Sequence, residues 1–275
     1  MNNTFSRRSL SDCVIKVIDY RGKTPKKLGT DWSNSGYRAI SANNVKFDGL
    51  TKLDSINYLD ESTYRIWMKD EVENGDLLLT SEAPAGQVML WMSDEKIVLS
   101  QRLFALRTKE DVDNKYLKYY LQSSVGQNEI NKNTSGSTVF GISAKMFELI
   151  QVSVPNYITQ VSIGNLLYLL DSKIELNNRI NAELEAMAKT VYDYWFVQFD
   201  FPFDFAQGKP SAEGKPYKSS GGKMVWCDEL KREVPEGWEV KPLDKVIETI
   251  IDHRGKTPLK LGGDWAQDKN GVIAL

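Results

Sequence analysis

The chain has 275 residues, 41% of them apolar and 26% charged, with a net charge of −2, which suits a soluble globular protein of one or two domains. No apolar run nears the roughly 18 residues that span a bilayer, and MNNTFSRRSL holds no secretory core, so a cytoplasmic protein with no membrane association is expected. Two isolated cysteines, Cys13 and Cys227, exclude a CxxC site, and a single histidine, His253, leaves no basis for a His-dependent triad or a His-ligated metal elsewhere.

Charge is unevenly distributed. Residues 1–50 carry nine Lys or Arg against four Asp, and the densest cluster lies in the phrase DYRGKTPKKLGTDW, Asp19–Trp32. That phrase returns as DHRGKTPLKLGGDW at Asp252–Trp265, with eleven of fourteen positions identical. The likeness extends upstream, pairing Val14 with Ile247 and Val17 with Ile250. A spacing of 233 residues is the length of a module rather than of a solenoid repeat. The chain therefore reads as one module followed by the opening of a second.

The GKT of RGKTP is not a phosphate-binding loop. The glycine required five residues before Gly22 is Val17, in the second copy Ile250, and Pro25 and Pro258 follow the threonine. Thr24 instead reads as an N-cap, Pro25 as the first helical residue and Gly29 as the close of a short turn. Lys26 and Lys27 at such an N-terminus, beside Arg21 and Lys23, fit a phosphate-backbone contact, and a tight turn with solvated cations fits them as well.

Residues 1–156 read as a mixed α/β domain. Asn74-Gly75 between Val72–Glu73 and Leu77–Leu79 signals a hairpin, and strands are expected at Gln87–Met92, Lys96–Leu99 and Leu103–Arg107. Asp113 and Ser143 are placed to cap short helices. Arg38, Asn43, Asn44 and the polar run Ser135, Gly136, Ser137, Thr138 supply donors and acceptors suited to base edges.

After Pro155 the pattern changes. From about Thr159 to Phe199 there is no proline, and Ile163, Leu167, Leu170, Ile174, Asn177, Ile180, Leu184, Met187 and Val191 mark one face. A helix of about forty residues, near 60 Å at 1.5 Å per residue, is expected over 157–200. Its apolar stripe calls for a partner helix, and a polar Asn177 on that stripe is suited to fixing register. Tyr194, Trp195, Phe196 and Phe199 head an aromatic cluster that reads either as core or as a docking surface. Residues 201–238 read as a Gly/Pro/Ser/Lys-rich linker, and 239–275 as the truncated start of a second module. The fold class expected is α+β, a mixed α/β domain followed by a long coiled-coil-forming helix.

GxGxxG, HExxH, GxSxG, EF-hand and [DNS]PP[YF] patterns are all absent, and no catalytic constellation stands out. Several segments together resemble the specificity subunits of type I restriction–modification enzymes. These are the repeated DxRGKTPxKLG, GSTVFGISAKMFELIQVSVPNYITQ (136–160), LDSKIELNNRINAELEAMAKTVYDYWFVQFDFPF (170–203) and GKPYKSSGGKMVW with VPEGWEVKPL (214–243). The resemblance implies a non-catalytic subunit whose target-recognition domains each read one half of a bipartite site in double-stranded DNA. It implies conserved helices paired antiparallel as a spacer, methyltransferase (modification) subunits that carry S-adenosylmethionine, and restriction subunits recruited through the complex. The chain itself is expected to hold no cofactor and no metal. The second recognition domain stops after about thirty residues, so a half-length or truncated form is expected. One helix with an unfilled stripe can pair with a second copy of itself, and two identical domains about a two-fold axis read an inverted repeat. The alternative is a truncated interaction protein that binds the modification subunit without productive DNA recognition.

Overall fold

The computed structural model describes residues 5–135 and 140–247. In chain order, the first part comprises β1 (Ser6–Ser9), α1 (Leu10–Cys13), β2 (Val14–Asp19), β3 (Tyr37–Ile40), β4 (Val45–Lys46), β5 (Gly49–Leu50), β6 (Asn57–Leu59) and α2 (Glu61–Trp67). There follow β7 (Leu77–Thr80), β8 (Val88–Leu90), β9 (Val98–Leu99), β10 (Leu103–Thr108), α3 (Asn114–Gln122), α4 (Ser124–Lys132), β11 (Gln151–Val154) and α5 (Tyr157–Tyr192).

The central antiparallel sheet runs β2-β10-β7-β8. Its strands read as continuous apolar runs because both faces are covered. Leu77, Leu79, Phe104 and Leu106 point to a core shared with α1, α3, α4 and β11. Leu78, Leu103, Ala105 and Ile18 point to a second core shared with α2 and the sheet β6-β3-β9. The alternation has the period of two that a strand imposes, and the domain is layered on either side of one sheet. Cys13 lies in the first core, where burial pushes its thiol up to about 11.

The hairpin expected at Asn74-Gly75 is a turn without a preceding strand. Gly75 has φ +96 and the Asp76 amide donates to Glu73 O at 3.0 Å, but Val72–Glu73 stays outside every sheet. The hairpin partner of β7 is β8, joined through Ser81–Gln87. A turn signal is local, whereas the strand that pairs with β7 is fixed by packing elsewhere in the domain. The expected strands at 87–92, 96–99 and 103–107 are present in shorter or shifted form. Asp113 caps α3 by accepting from the Tyr116 amide at 2.8 Å, and Ser143 precedes a 3₁₀ turn at Ala144–Glu148.

Helix α5 seats its first turns on the domain. Gln160, nearly inaccessible, accepts from the Asp113 amide and donates to the carbonyls of Asp111 and Pro155. Gly164 permits the approach, since a Cβ there would stand 2.6 Å from Asp113 Oδ1 and 2.8 Å from Tyr116 N. Further along, Lys118 Nζ and the Tyr119 hydroxyl both bond Asp171 Oδ2, at 2.8 and 2.7 Å. The chain divides into two compact units, residues 1–180 and 181–275, with the division inside α5. From Leu169 onward the helix is exposed all round.

In the second unit α5 ends in a π-helical turn, Asp193–Val197. The segment read as a linker carries short strands: β12 (Pro202–Asp204), β13 (Lys209–Pro210) and β14 (Lys215–Pro216) form one sheet, and β15 (Met224–Cys227) pairs with β16 (Arg232–Pro235). Aromatic stacking organises it. Phe201 lies between Tyr217 at 4.9 Å and Trp238 at 5.7 Å, both near parallel, and Phe199 and Tyr217 are buried. Asp200 accepts from the Ser219 amide and hydroxyl at 2.7 and 2.6 Å. The second copy of the repeated phrase, His253 included, lies outside the described residues. The molecule belongs to the α+β class, with one long helix.

Candidate nucleic-acid interface

Strand register gathers several loops at one end of the domain. Leu103 stands opposite Thr80 and Phe104 opposite Asp19, so the RGKTP turn, the Ser81–Gly86 segment and Gln101–Arg102 emerge together. Strands β3 and β9 run parallel, with Ile40 opposite Leu99, so Ser41–Asn44 and Ser100–Gln101 leave at the same end. Ala42 N donates to Gln101 O at 3.1 Å, and Ile142 N to Ser81 O at 2.8 Å. The start of α5 sits at the opposite end, where Lys109 N donates to Cys13 O and Gln160 meets Asp113.

The repeated phrase folds as its sequence implies. Thr24 is extended and accepts from the Lys27 amide, Pro25–Leu28 form a 3₁₀ turn, and Gly29 closes it at φ +74. Its cations, however, are mostly engaged. Arg21 makes a bidentate pair with Asp19, donates to Ile142 O at 3.0 Å and lies 3.9 Å over the Phe104 ring. Burial pushes the Asp19 carboxyl up, but the Arg21 bonds and charge outweigh it and leave it below the usual carboxylate range. Lys23 donates to Trp67 O at 3.0 Å and lies over Tyr20, and Lys27 donates to Gly22 O at 2.6 Å. Lys26 is exposed, and among the described residues no ion pair engages it.

The other expected contacts divide. Asn44 is buried, accepting from the Ser41 amide and hydroxyl and donating to the Thr51 and Lys52 carbonyls, so it builds the loop rather than faces solvent. Asn43 beside it is exposed. Ser135 pairs its backbone with Gly141, 2.9 Å in each direction, while Gly136, Ser137 and Thr138 lie outside the described residues. Arg38 stands apart from this end. It is paired with Glu95 and lines a separate cleft of about 620 Å³ together with Lys118, Tyr168, Asp171 and Ile174.

At the gathered end a smaller pocket of about 230 Å³ is lined by Trp32, Ser41, Asn43, Ser55, Asn57 and Gln101, among others. Its polar side chains are amides and hydroxyls without a charge. Trp32, Ser55, Asn57, Ser100 and Gln101 were not legible as site residues. Trp32 alone carried a signal, since the second copy of the phrase also ends in tryptophan, at Trp265. Lys52, in a left-handed conformation at φ 53, and Arg102, at φ 61 and 3.2 Å from Glu82, lie in the same loops.

Of the expected docking aromatics, Tyr194, Trp195 and Phe196 are exposed, whereas Phe199 is 3% exposed, under the Arg232 guanidinium and against Trp238. Among the described residues no helix is long and apolar enough to cross a membrane.

Comparison with known proteins identifies relatives of the chain. The chain is 29% identical over 188 residues to the type I restriction enzyme MjaIX specificity subunit of Methanocaldococcus jannaschii, covering 68% of this chain and 38% of that one. It is 25% identical over 250 residues to the type I restriction enzyme HindI specificity subunit of Haemophilus influenzae, covering 75% of this chain and 54% of that one. It thus spans about half or less of the length of these relatives. The S subunit of a type I restriction–modification system from M. genitalium has the same fold over 72% of this chain and 47% of that one, with a TM-score of 0.51 and 17% identity. The family model for the type I restriction modification DNA specificity domain matches residues 7–186, well over half of the sequence, and the chain belongs to that family.

Proposed function

We propose that this chain reads one half of a bipartite site in double-stranded DNA as a non-catalytic specificity subunit. The observation that carries the reading is the gathering of exposed amide and hydroxyl side chains in an uncharged pocket, at the end of the domain that also holds the repeated basic turn. Asn and Gln are the side chains that pair with adenine edges, and Ser serves several bases. Lys26 and Lys52, exposed beside the pocket loops, contact phosphates and position the domain. The engaged Arg21, Lys23 and Asn44 shape these loops instead.

The exposed stripe of α5 takes a second copy of the chain, antiparallel, as the spacer between two recognition domains. Such a homodimer reads an inverted repeat. Modification subunits, which bring S-adenosylmethionine and the chemistry, dock on Tyr194, Trp195 and Phe196, and restriction subunits join through that complex in the cytoplasm. An exposed patch of aromatics at the end of the helix supports a protein interface.

Methylome sequencing of cells expressing the chain with a modification subunit tests this. The expected result is one bipartite motif with inverted-repeat halves, altered at a single position in each half by Asn57→Ala or Gln101→Ala. Unrelated half-sites, or no motif with a soluble complex, would overturn the reading. In binding assays Lys26→Ala and Lys52→Ala weaken all sequences alike, each reducing the salt slope by about 1.

A further inference from the structure

The residues of the exposed stripe are arranged symmetrically about Asn177. Ile163, Leu170, Asn177, Leu184 and Val191 are spaced seven apart. Before Asn177 the intervening apolar residues, Leu167 and Ile174, fall four after each of these. Beyond it Ile180 and Met187 fall three after. Reversing the helix about Asn177 therefore maps the set onto itself: 163 onto 191, 167 onto 187, 170 onto 184, 174 onto 180. Leu170, Ile174, Ile180, Leu184, Met187 and Val191 are between 43% and 64% exposed, so the face is open from Leu170 onward, while Ile163 and Leu167 are partly buried.

We infer that two copies of the chain pair through α5 with the two-fold axis passing at Asn177. This rests on the dimeric reading above and adds its register. Three observations select the register. Each apolar residue then meets an apolar partner over residues 163–191, with two stretches of heptad spacing that change phase at Asn177 itself. The two Asn177 carboxamides face each other, each supplying a donor and an acceptor, so both are satisfied on the axis. A slip of one heptad sets each amide against Leu170 or Leu184 and buries it without a partner, which penalises the slipped states. Finally Glu175 and Arg179, both exposed and equally distant from Asn177, become cross-chain opposites, giving two symmetric ion pairs.

Disulfide trapping of the full chain tests the register. Cys227→Ser removes the partly accessible native thiol, and buried Cys13 stays. Asn177→Cys is expected to give a covalent dimer under mild oxidation, because its own copy stands opposite. Leu170→Cys and Leu184→Cys, each alone, are expected to stay uncrosslinked, since like positions lie about 21 Å apart along the axis, beyond disulfide reach. Mixed together, these two are expected to crosslink. Glu175→Arg is expected to weaken dimerisation roughly fivefold, and Glu175→Arg with Arg179→Glu to restore it. Self-crosslinking of Leu170→Cys would indicate parallel pairing or a two-fold axis at residue 170 and overturn the inference, as would a wild-type dimer in which Asn177→Cys stays uncrosslinked. A wild-type chain that sediments as a monomer at tens of micromolar would overturn the dimeric reading as well.

Discussion

The carboxamide of Asn44 accepts from the Ser41 amide at 3.1 Å and hydroxyl at 2.8 Å and donates to Thr51 O at 3.2 Å, all away from solvent. Asn43, one residue earlier, is exposed on the pocket wall. Sequence alone does not separate the pair, because an asparagine that builds a turn and one that reads a base carry the same groups. Their substitutions differ in kind. Asn44→Ala leaves the Ser41 hydroxyl and two carbonyls without their partner and is expected to destabilise by about 1–3 kcal/mol, seen as a lower urea midpoint. Asn43→Ala is expected to leave that midpoint unchanged and to shift the methylated motif. Equal destabilisation by both would remove Asn43 from the site. Gly164 carries a second prediction at this scale. Alanine there gains helix propensity of about 1 kcal/mol, yet its Cβ would lie 2.8 Å from a backbone nitrogen, so Gly164→Ala is expected to lower Tm.

Elements governed by local chemistry were legible in advance. The Thr24–Gly29 turn and the Asp113 cap follow from side chains acting within three to five residues, and α5 from a period sustained over many turns. The pocket was not legible. Its walls meet because β3 and β9, nearly sixty residues apart in sequence, pair in parallel, and no local signal marks that partnership. Nor did the sequence reveal how α5 is held. Burial pushes the Asp171 carboxyl up, but hydrogen bonds from Lys118 and Tyr119 outweigh it and keep it below the usual range. A depressed folded value means that this contribution is complete above the unfolded pKa, near 4, and is lost as pH falls through the folded one. Asp171 is about half exposed, so the effect is modest. Asp171→Asn is expected to lower stability at pH 6 and to converge with wild type near pH 2. An equal deficit at both pH values would show that packing, not charge, seats the helix.

At the scale of the whole molecule, α5 is a helix of two environments. Its first turns are fixed by Gln160, Gly164 and Asp171, while beyond Leu169 every residue through Tyr192 is exposed. An isolated helical stretch of that length is marginal in water, because nucleation is costly and propagation gains little without a packed face. Its persistence therefore depends on whatever covers the stripe, which in the proposed dimer is a second copy. Folding of residues 181–192 is then linked to association by mass action. Amide exchange in this segment is expected to slow as chain concentration rises through the dimer dissociation constant. Exchange at 160–168, held by the domain itself, is expected to stay constant. Leu184→Glu places a charge in the stripe and is expected to leave 181–192 rapidly exchanging at every concentration, with 160–168 still protected. Protection of 181–192 that is independent of concentration in both proteins would mean that the stripe needs no second chain.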